Sequence, residues 1–349
     1  MYIAIAIVAF GLLIAIHELG HFSMARLFGV QVNEFAFGMG PKILSHKGKE
    51  TVYSWRLLPF GGFCAMEGED EDSQNPHAFT NKPWWQQAVI LVAGAAFNAI
   101  AGFIVIAAIL ATSNGFTSTQ IVGLAEGFPE GGLQTGDVIV KVDGESVGSY
   151  GELSLMLSRG NENGIFDFVV KRGGERVNLS GYQFLPRDYP APDGGTQYRY
   201  GIDLKGDAVN AGNTLKYSLY ETRQFVRMVK MGLVDLFTGK VAMTELSGPV
   251  GIVAAVDDIA KSSANTTMGL RNLTYFFAFI AINLAVMNLL PIPALDGGRI
   301  VFLLVTTALE KLFRRKISRK IEGYVHAGTF VLLIGVMLFT LVSDVMKLL

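Results

Sequence analysis

In this 349-residue chain the run His17-Glu18-Leu19-Gly20-His21 is the stretch best equipped for chemistry. Two histidines four apart lie on one face of an α-helix, a turn from each other. Both imidazoles can then reach one tetrahedral Zn2+, with Glu18 beside it as a base for a water. The chemistry implied is metal-assisted hydrolysis of a peptide bond. The setting is apolar, since residues 1–16 carry no charge. Ionisable side chains at bilayer depth cost about 2.5 to 3.5 kcal/mol each on insertion scales, so three within five residues call for a metal or partners to satisfy them.

The elements that must position these groups are membrane helices. Half of the residues are hydrophobic, 17% are charged and the mean hydropathy is +0.38, which describes an integral membrane protein. A net charge of -1 gives no support for nucleic-acid binding. The one cysteine, Cys64, excludes an internal disulfide and a multi-cysteine zinc site and reads as a small apolar residue. No cleavable signal peptide is expected, because the start lacks a basic region and a small-residue cleavage pattern. Four apolar stretches approach the ~20 residues a bilayer needs, at about 1–25, 87–111, 273–292 (to 295 with its proline-rich end) and 327–346. The run 300–309 is too short to cross alone. Lys311, Arg314, Arg315, Lys316, Arg319 and Lys320 place the loop 310–322 in the cytoplasm by the positive-inside rule. By alternation the loop 26–86 is cytoplasmic, whereas both termini and residues 112–271 lie outside. Arg26, Lys42, Lys47, Lys49 and Arg56 agree; the acidic run 67–72 weighs little in this rule.

At 1.5 Å per residue His17 and His21 lie ~22 and ~28 Å from the outer end of the first span, in the inner half of the bilayer. A third ligand should come from the inner end of another span. Asn288-Leu289-Leu290-Pro291-Ile292-Pro293-Ala294-Leu295-Asp296-Gly297-Gly298 holds the one acidic residue near such an end, Asp296. Its prolines and glycines mark an interrupted helix, tolerated at membrane depth where it lines a cavity. A helix cap or a partner of Arg299 is the alternative role for Asp296.

Residues 118–203 form an extracytoplasmic β-rich insert, with strand-like runs at 120–124, 138–142, 166–171 and 176–180 between Gly and Asp turns. Gly131-Gly132-Leu133-Gln134-Thr135-Gly136-Asp137-Val138-Ile139-Val140-Lys141-Val142-Asp143-Gly144 looks like the signature of a PDZ domain. Residues 149–158 would be the helix flanking its groove and 121–124 the groove strand, with a bound peptide adding to the sheet edge. A spacer or steric plug is the other reading. Within 208–271, Leu215, Leu219, Thr222, Phe225, Val226, Val229, Leu233 and Leu236 recur at helical spacing, giving an amphipathic juxtamembrane helix that lies on the outer membrane face or packs on the insert.

Taken together, these motifs resemble the site-2 protease family of intramembrane metalloproteases, of the bacterial regulator-of-sigma-E type. The resemblance covers nearly the whole chain: HELGH at 17–21, NLLPIPALDGGR at 288–299, FGMGP at 37–41, LPFGGF at 58–63, NKP at 81–83 leading into AGAAFN at 93–98, and LSGPVGI at 246–252. It implies a polytopic α-helical membrane protein of four transmembrane helices with a membrane-associated β-hairpin and a single PDZ insert. It implies zinc held by His17, His21 and Asp296, with Glu18 as general base. Asn288 would help bind substrate or stabilise the oxyanion, with Pro291, Pro293, Gly61 and Gly62 as further substrate contacts. The glycine-rich stretches would form a membrane-dipping hairpin that pairs with unwound substrate. Substrates would be single-span membrane proteins, including anti-sigma factors trimmed by an earlier protease and signal-peptide remnants, in the bacterial inner membrane. Ala95 stands where the family usually has proline.

Two rivals use the same residues. A non-proteolytic PDZ adaptor requires broken zinc ligands, and all stand intact. A metal transporter would show repeated halves and further intramembrane acids, and neither is seen.

Overall fold

The computed structural model describes residues 2–69, 73–160, 163–190, 195–245, 248–314 and 320–348. These fall into two compact units, Met1–Val105 with Met228–Leu349, and Ile106–Arg227. Residues 315–319 of the basic loop, the acidic run's 70–72 and residues 246–247 of the LSGPVGI motif lie outside the described residues.

The first unit begins with helix α1 (Tyr2–Leu27), which carries HELGH in its C-terminal half and stops at Gly29, whose φ of +66° suits a residue without a side chain. Strands β1 (Val32–Lys47) and β2 (Val52–Met66) follow as an antiparallel hairpin with several register shifts. Helix α2 (Trp84–Ala111) completes the first half. Close backbone approach fixes this arrangement. A Cβ on Gly20 would stand 2.3 Å from the Ala93 carbonyl oxygen of α2, and one on Gly11 the same distance from that of Pro59 in β2. Around these contacts Ala25, Val30, Val32, Cys64, Ile90 and Leu303 form a buried core.

The second unit is built of antiparallel strands. These are β3 (Phe116–Leu124), β4 (Val138–Val142), β5 (Glu145–Ser146), β6 (Ile165–Arg172), β7 (Glu175–Gln183), β8 (Arg187–Pro190), β9 (Thr196–Arg199) and β10 (Ile202–Asp207), with helix α3 (Tyr150–Ser158) between β5 and β6. The main sheet runs β10-β3-β4-β6-β7, with β5 on β4, while β8 and β9 pair separately. The expected strands and the helix at 149–158 are present, with Ser149 as N-cap accepting from the Glu152 amide at 3.3 Å. Residues 121–124 bond to β10 on one side, and on the other side β3 meets β4 at Gln120.

Helix α4 (Ala211–Phe237) opens the segment 208–271, which is one amphipathic helix only as far as residue 237. Its first half packs on the β-rich unit. Tyr217 stacks on Phe116 and donates to Asp207, and Arg223 makes two bonds of 2.5 and 2.6 Å to the buried Glu152 carboxylate. Helix α5 (Pro249–Ser262), with Pro249 in its first turn, and helix α6 (Thr266–Asn288), capped by Asn265, use the rest.

The third span therefore starts earlier and ends earlier than 273–295. Apolar residues continue past Asn288, but Pro291 and Pro293 cannot continue a helix, and the chain turns over 289–295 before helix α7 (Asp296–Phe313). The run 300–309 lies within α7. Helix α8 (Lys320–Leu348) ends the chain, longer at both ends than 327–346. Among the described residues four helices are long and apolar enough to cross a membrane, over Ile5–Leu27, Trp84–Ala111, Thr266–Asn288 and Glu322–Lys347.

Candidate metal centre

The turn that shortened the third span also aims Asp296. Ala294 sits at φ +76°, a left-handed conformation uncommon for a residue with a Cβ, and Gly297 and Gly298 pack beneath it. A Cβ on Gly297 would stand 2.3 Å from the carbonyl oxygens of Leu289 and Leu290, and one on Gly298 2.2 Å from that of Ile292. Only glycine lets helix and turn approach so closely.

The carboxylate so placed meets the two histidines of α1. Asp296 Oδ2 lies 3.1 Å from His17 Nε2 and 3.4 Å from His21 Nε2, and the two Nε2 atoms are 3.1 Å apart. Asp296 Oδ2 is buried with no hydrogen-bond partner. Three converging lone pairs repel one another unless a cation sits among them. For ligands about 2.0 to 2.1 Å from a tetrahedral zinc, the ligand-to-ligand edge is about 3.3 Å, and the observed triangle matches it. Among the described residues this is the one His/Cys/Asp/Glu group close enough to share an ion. Arg299, the alternative partner of Asp296, is ion-paired with Glu69.

Neighbouring groups orient the ligands. His21 Nδ1 donates to the Ile90 carbonyl oxygen at 2.8 Å, which directs Nε2 at the candidate metal position between His17 and Asp296. His17 Nδ1 lies 3.4 Å from the Asn288 side-chain amide. A ligating Nε2 leaves the ring proton on Nδ1, so that amide presents its oxygen to His17. Asn288, read from the resemblance as a substrate group, is thus brought against His17. Glu18 accepts a bond from the Cys64 backbone N–H of β2.

Two glycines keep the site open. A Cβ on Gly94 of α2 would stand 2.4 Å from His21 Nε2 and 2.8 Å from His17 Nε2, and one on Gly62 of β2 3.7 Å from Glu18 Cγ. Gly61, at φ +84°, faces Met39 across the hairpin, and Pro291 and Pro293 lie in the turn before Asp296. One turn beyond Gly94 on α2, Asn98 is buried with neither amide atom hydrogen-bonded. Sequence reading quoted Gly94 only as part of a motif and passed over Ile90 and the Cys64 amide. Backbone groups carry no sequence signal, and spacing on α2 does not show which face meets α1.

The sequence profile of Peptidase family M50 matches residues 5–336. A protein named as a zinc metalloprotease from Clostridium acetobutylicum is 37% identical over 98% of this chain and 97% of its own. A zinc metalloprotease by name from Clostridium perfringens is 34% identical over 99% and 98%. The regulator of sigma-W protease RasP of Bacillus subtilis is 27% identical over 98% and 97%.

Proposed function

Because the chain belongs to Peptidase family M50, the site-2 protease family of zinc metalloproteases, we propose that it hydrolyses a peptide bond within the transmembrane segment of single-span membrane proteins. The observation that carries this reading is the triangle of His17, His21 and Asp296, with an orphaned carboxylate oxygen and with both histidines on a helix long enough to span a bilayer.

Zinc, when bound, supplies Lewis acidity that brings the pKa of a water toward ~7 and polarises a peptide carbonyl. The protein's own groups do the rest. Glu18, next to the ligand pair, takes the proton of the attacking water and returns it to the leaving amine. The Cys64 amide fixes the carboxylate for this transfer. Asn288 and the Ile90 carbonyl hold the imidazoles in one tautomer. Gly94 leaves room for both rings.

A substrate helix hides its carbonyls in its own hydrogen bonds and must unwind before attack, which favours segments with helix-breaking residues. The β1–β2 hairpin, which exposes Met39, Ile43, Leu44, Trp55 and Leu57, dips into the bilayer and offers strand pairing to the unwound segment near Gly61 and Gly62, with Pro291 and Pro293 as further substrate contacts. The β-rich unit is a PDZ module on the outer side, where it keeps bulky domains away. Substrates of this kind include anti-sigma factors already trimmed outside, and remnants of signal peptides.

The test is co-expression in cells with a tagged one-span protein, with and without its outer domain, comparing native chain with Glu18→Gln. The native protein should shorten the trimmed substrate, while loss of the base lowers the rate by roughly 10²- to 10⁴-fold. Equal processing by both forms refutes the assignment.

A further inference from the structure

Much of α8 faces outward, yet His326 turns inward. Its Nδ1 accepts a hydrogen bond of 2.6 Å from the Ala294 backbone N–H. A backbone amide only donates, so Nδ1 is unprotonated and a neutral ring carries its proton on Nε2, 3.7 Å from Glu322 Oε1. The ring touches Phe302, at 5.4 Å between centroids, and borders a cavity of about 210 Å³ lined also by Glu69, Gln87, Arg299 and Glu322, so close packing alone does not pin it.

Ala294 is the residue at φ +76°, two positions before Asp296. A backbone amide in an irregular turn packed between helices requires an acceptor, and here a side chain from another helix provides it. The bond thereby holds the left-handed residue on which the direction of the Asp296 carboxylate depends. We propose that His326 is a positioning residue for the metal centre, fixing the 289–295 turn so that Asp296 Oδ2 stays within ligand distance of both imidazoles. The inference rests on the zinc assignment above.

The experiment uses the full chain purified in detergent as native, His326→Ala, His326→Asn and His326→Gln. Zinc affinity is measured by competition with a chromophoric chelator, and the absorption bands of the Co2+-loaded protein report ligand geometry. Asparagine places an oxygen where Nδ1 stood; glutamine reaches instead toward the Nε2 position. Alanine and glutamine should weaken zinc binding about 10- to 100-fold and shift the cobalt bands, while asparagine keeps both near native. A His326 that merely docks α8 would lower the melting temperature of the metal-free protein without moving zinc affinity or the cobalt spectrum. Native zinc affinity in His326→Ala, or a loss in His326→Asn equal to that in alanine, overturns the proposal. If the alanine variant does not fold, the asparagine and glutamine pair decides by the same criteria. Native protein that takes up no zinc refutes the zinc assignment itself, and this proposal falls with it. Native zinc with unaltered variants refutes the proposal alone.

Discussion

Replacing Gly94 by alanine separates local helix energetics from the geometry of the site. Within a helix the change gains about 1 kcal/mol of intrinsic propensity, so a local account has the variant more stable than native. The tertiary structure reverses that expectation. The new methyl carbon would stand 2.4 Å from His21 Nε2, 2.7 Å from His17 Cε1 and 2.8 Å from His17 Nε2. Restoring a contact of about 3.4 Å requires roughly 1 Å of movement by a ligand nitrogen or by α2. Metal–ligand distances tolerate about 0.2 Å, so the displacement is several times what the site absorbs. Zinc affinity should fall at least ~100-fold and kcat/KM by about the same factor, equivalent to about 2.7 kcal/mol. The assay is zinc content by mass spectrometry after dialysis against graded chelator, together with cleavage of the one-span substrate. Gly335→Ala on α8, where nothing lies within 4 Å of the added carbon, serves as the matched control and should behave as native. A Gly94→Ala protein that holds zinc and cleaves like native refutes the packing argument, because the added methyl then displaces neither imidazole.

Two further outcomes concern the β-rich unit. Asp137, fully buried, receives two bonds of 2.8 Å from Arg172 and one of 2.9 Å from the Gln134 amide. Asp137→Ala should destabilise the unit by about 3 kcal/mol, the low end for a broken buried pair since Arg172 is partly exposed, and an unchanged denaturant midpoint would contradict this. Burial, then the nearby Glu152 charge, raises the Glu221 carboxyl to about 7. The fold therefore binds a proton that the unfolded chain releases near pH 4.5, so stability falls as pH rises from about 4.5 to about 7 and is level above. Glu221→Gln should remove that slope in unfolding measurements across the range, and an undiminished slope would assign it to other groups.

The spans, the HELGH helix, the strand runs of the β-rich unit and the helix at 149–158 were legible because each depends on local periodicity or composition. Asp296 was legible by a depth argument, since helix rise fixes where His17 and His21 lie and one carboxylate stands at the matching end of another span. The end of the third span was misread because Leu289, Leu290 and Ile292 keep the segment apolar, while the break is set by Pro291 and Pro293. The pairing of β10 with 121–124 was hidden for a different reason: β10 lies about eighty residues further along, and no local pattern reveals a pairing at that separation.

By itself the sequence determined the chemistry on offer: two imidazoles and a base on one helical face, a carboxylate at matching depth, and enough apolar length to bury them. Only the tertiary structure decided that Oδ2 of Asp296 and both Nε2 atoms converge to 3.1–3.4 Å, that Gly94 is the residue leaving room for them, and that His326 holds the turn behind the carboxylate. The physical reason is range. Helix period and hydropathy act between near neighbours in the chain, whereas a ligand triangle is fixed by backbone contacts between helices far apart in sequence, where tenths of an ångström matter.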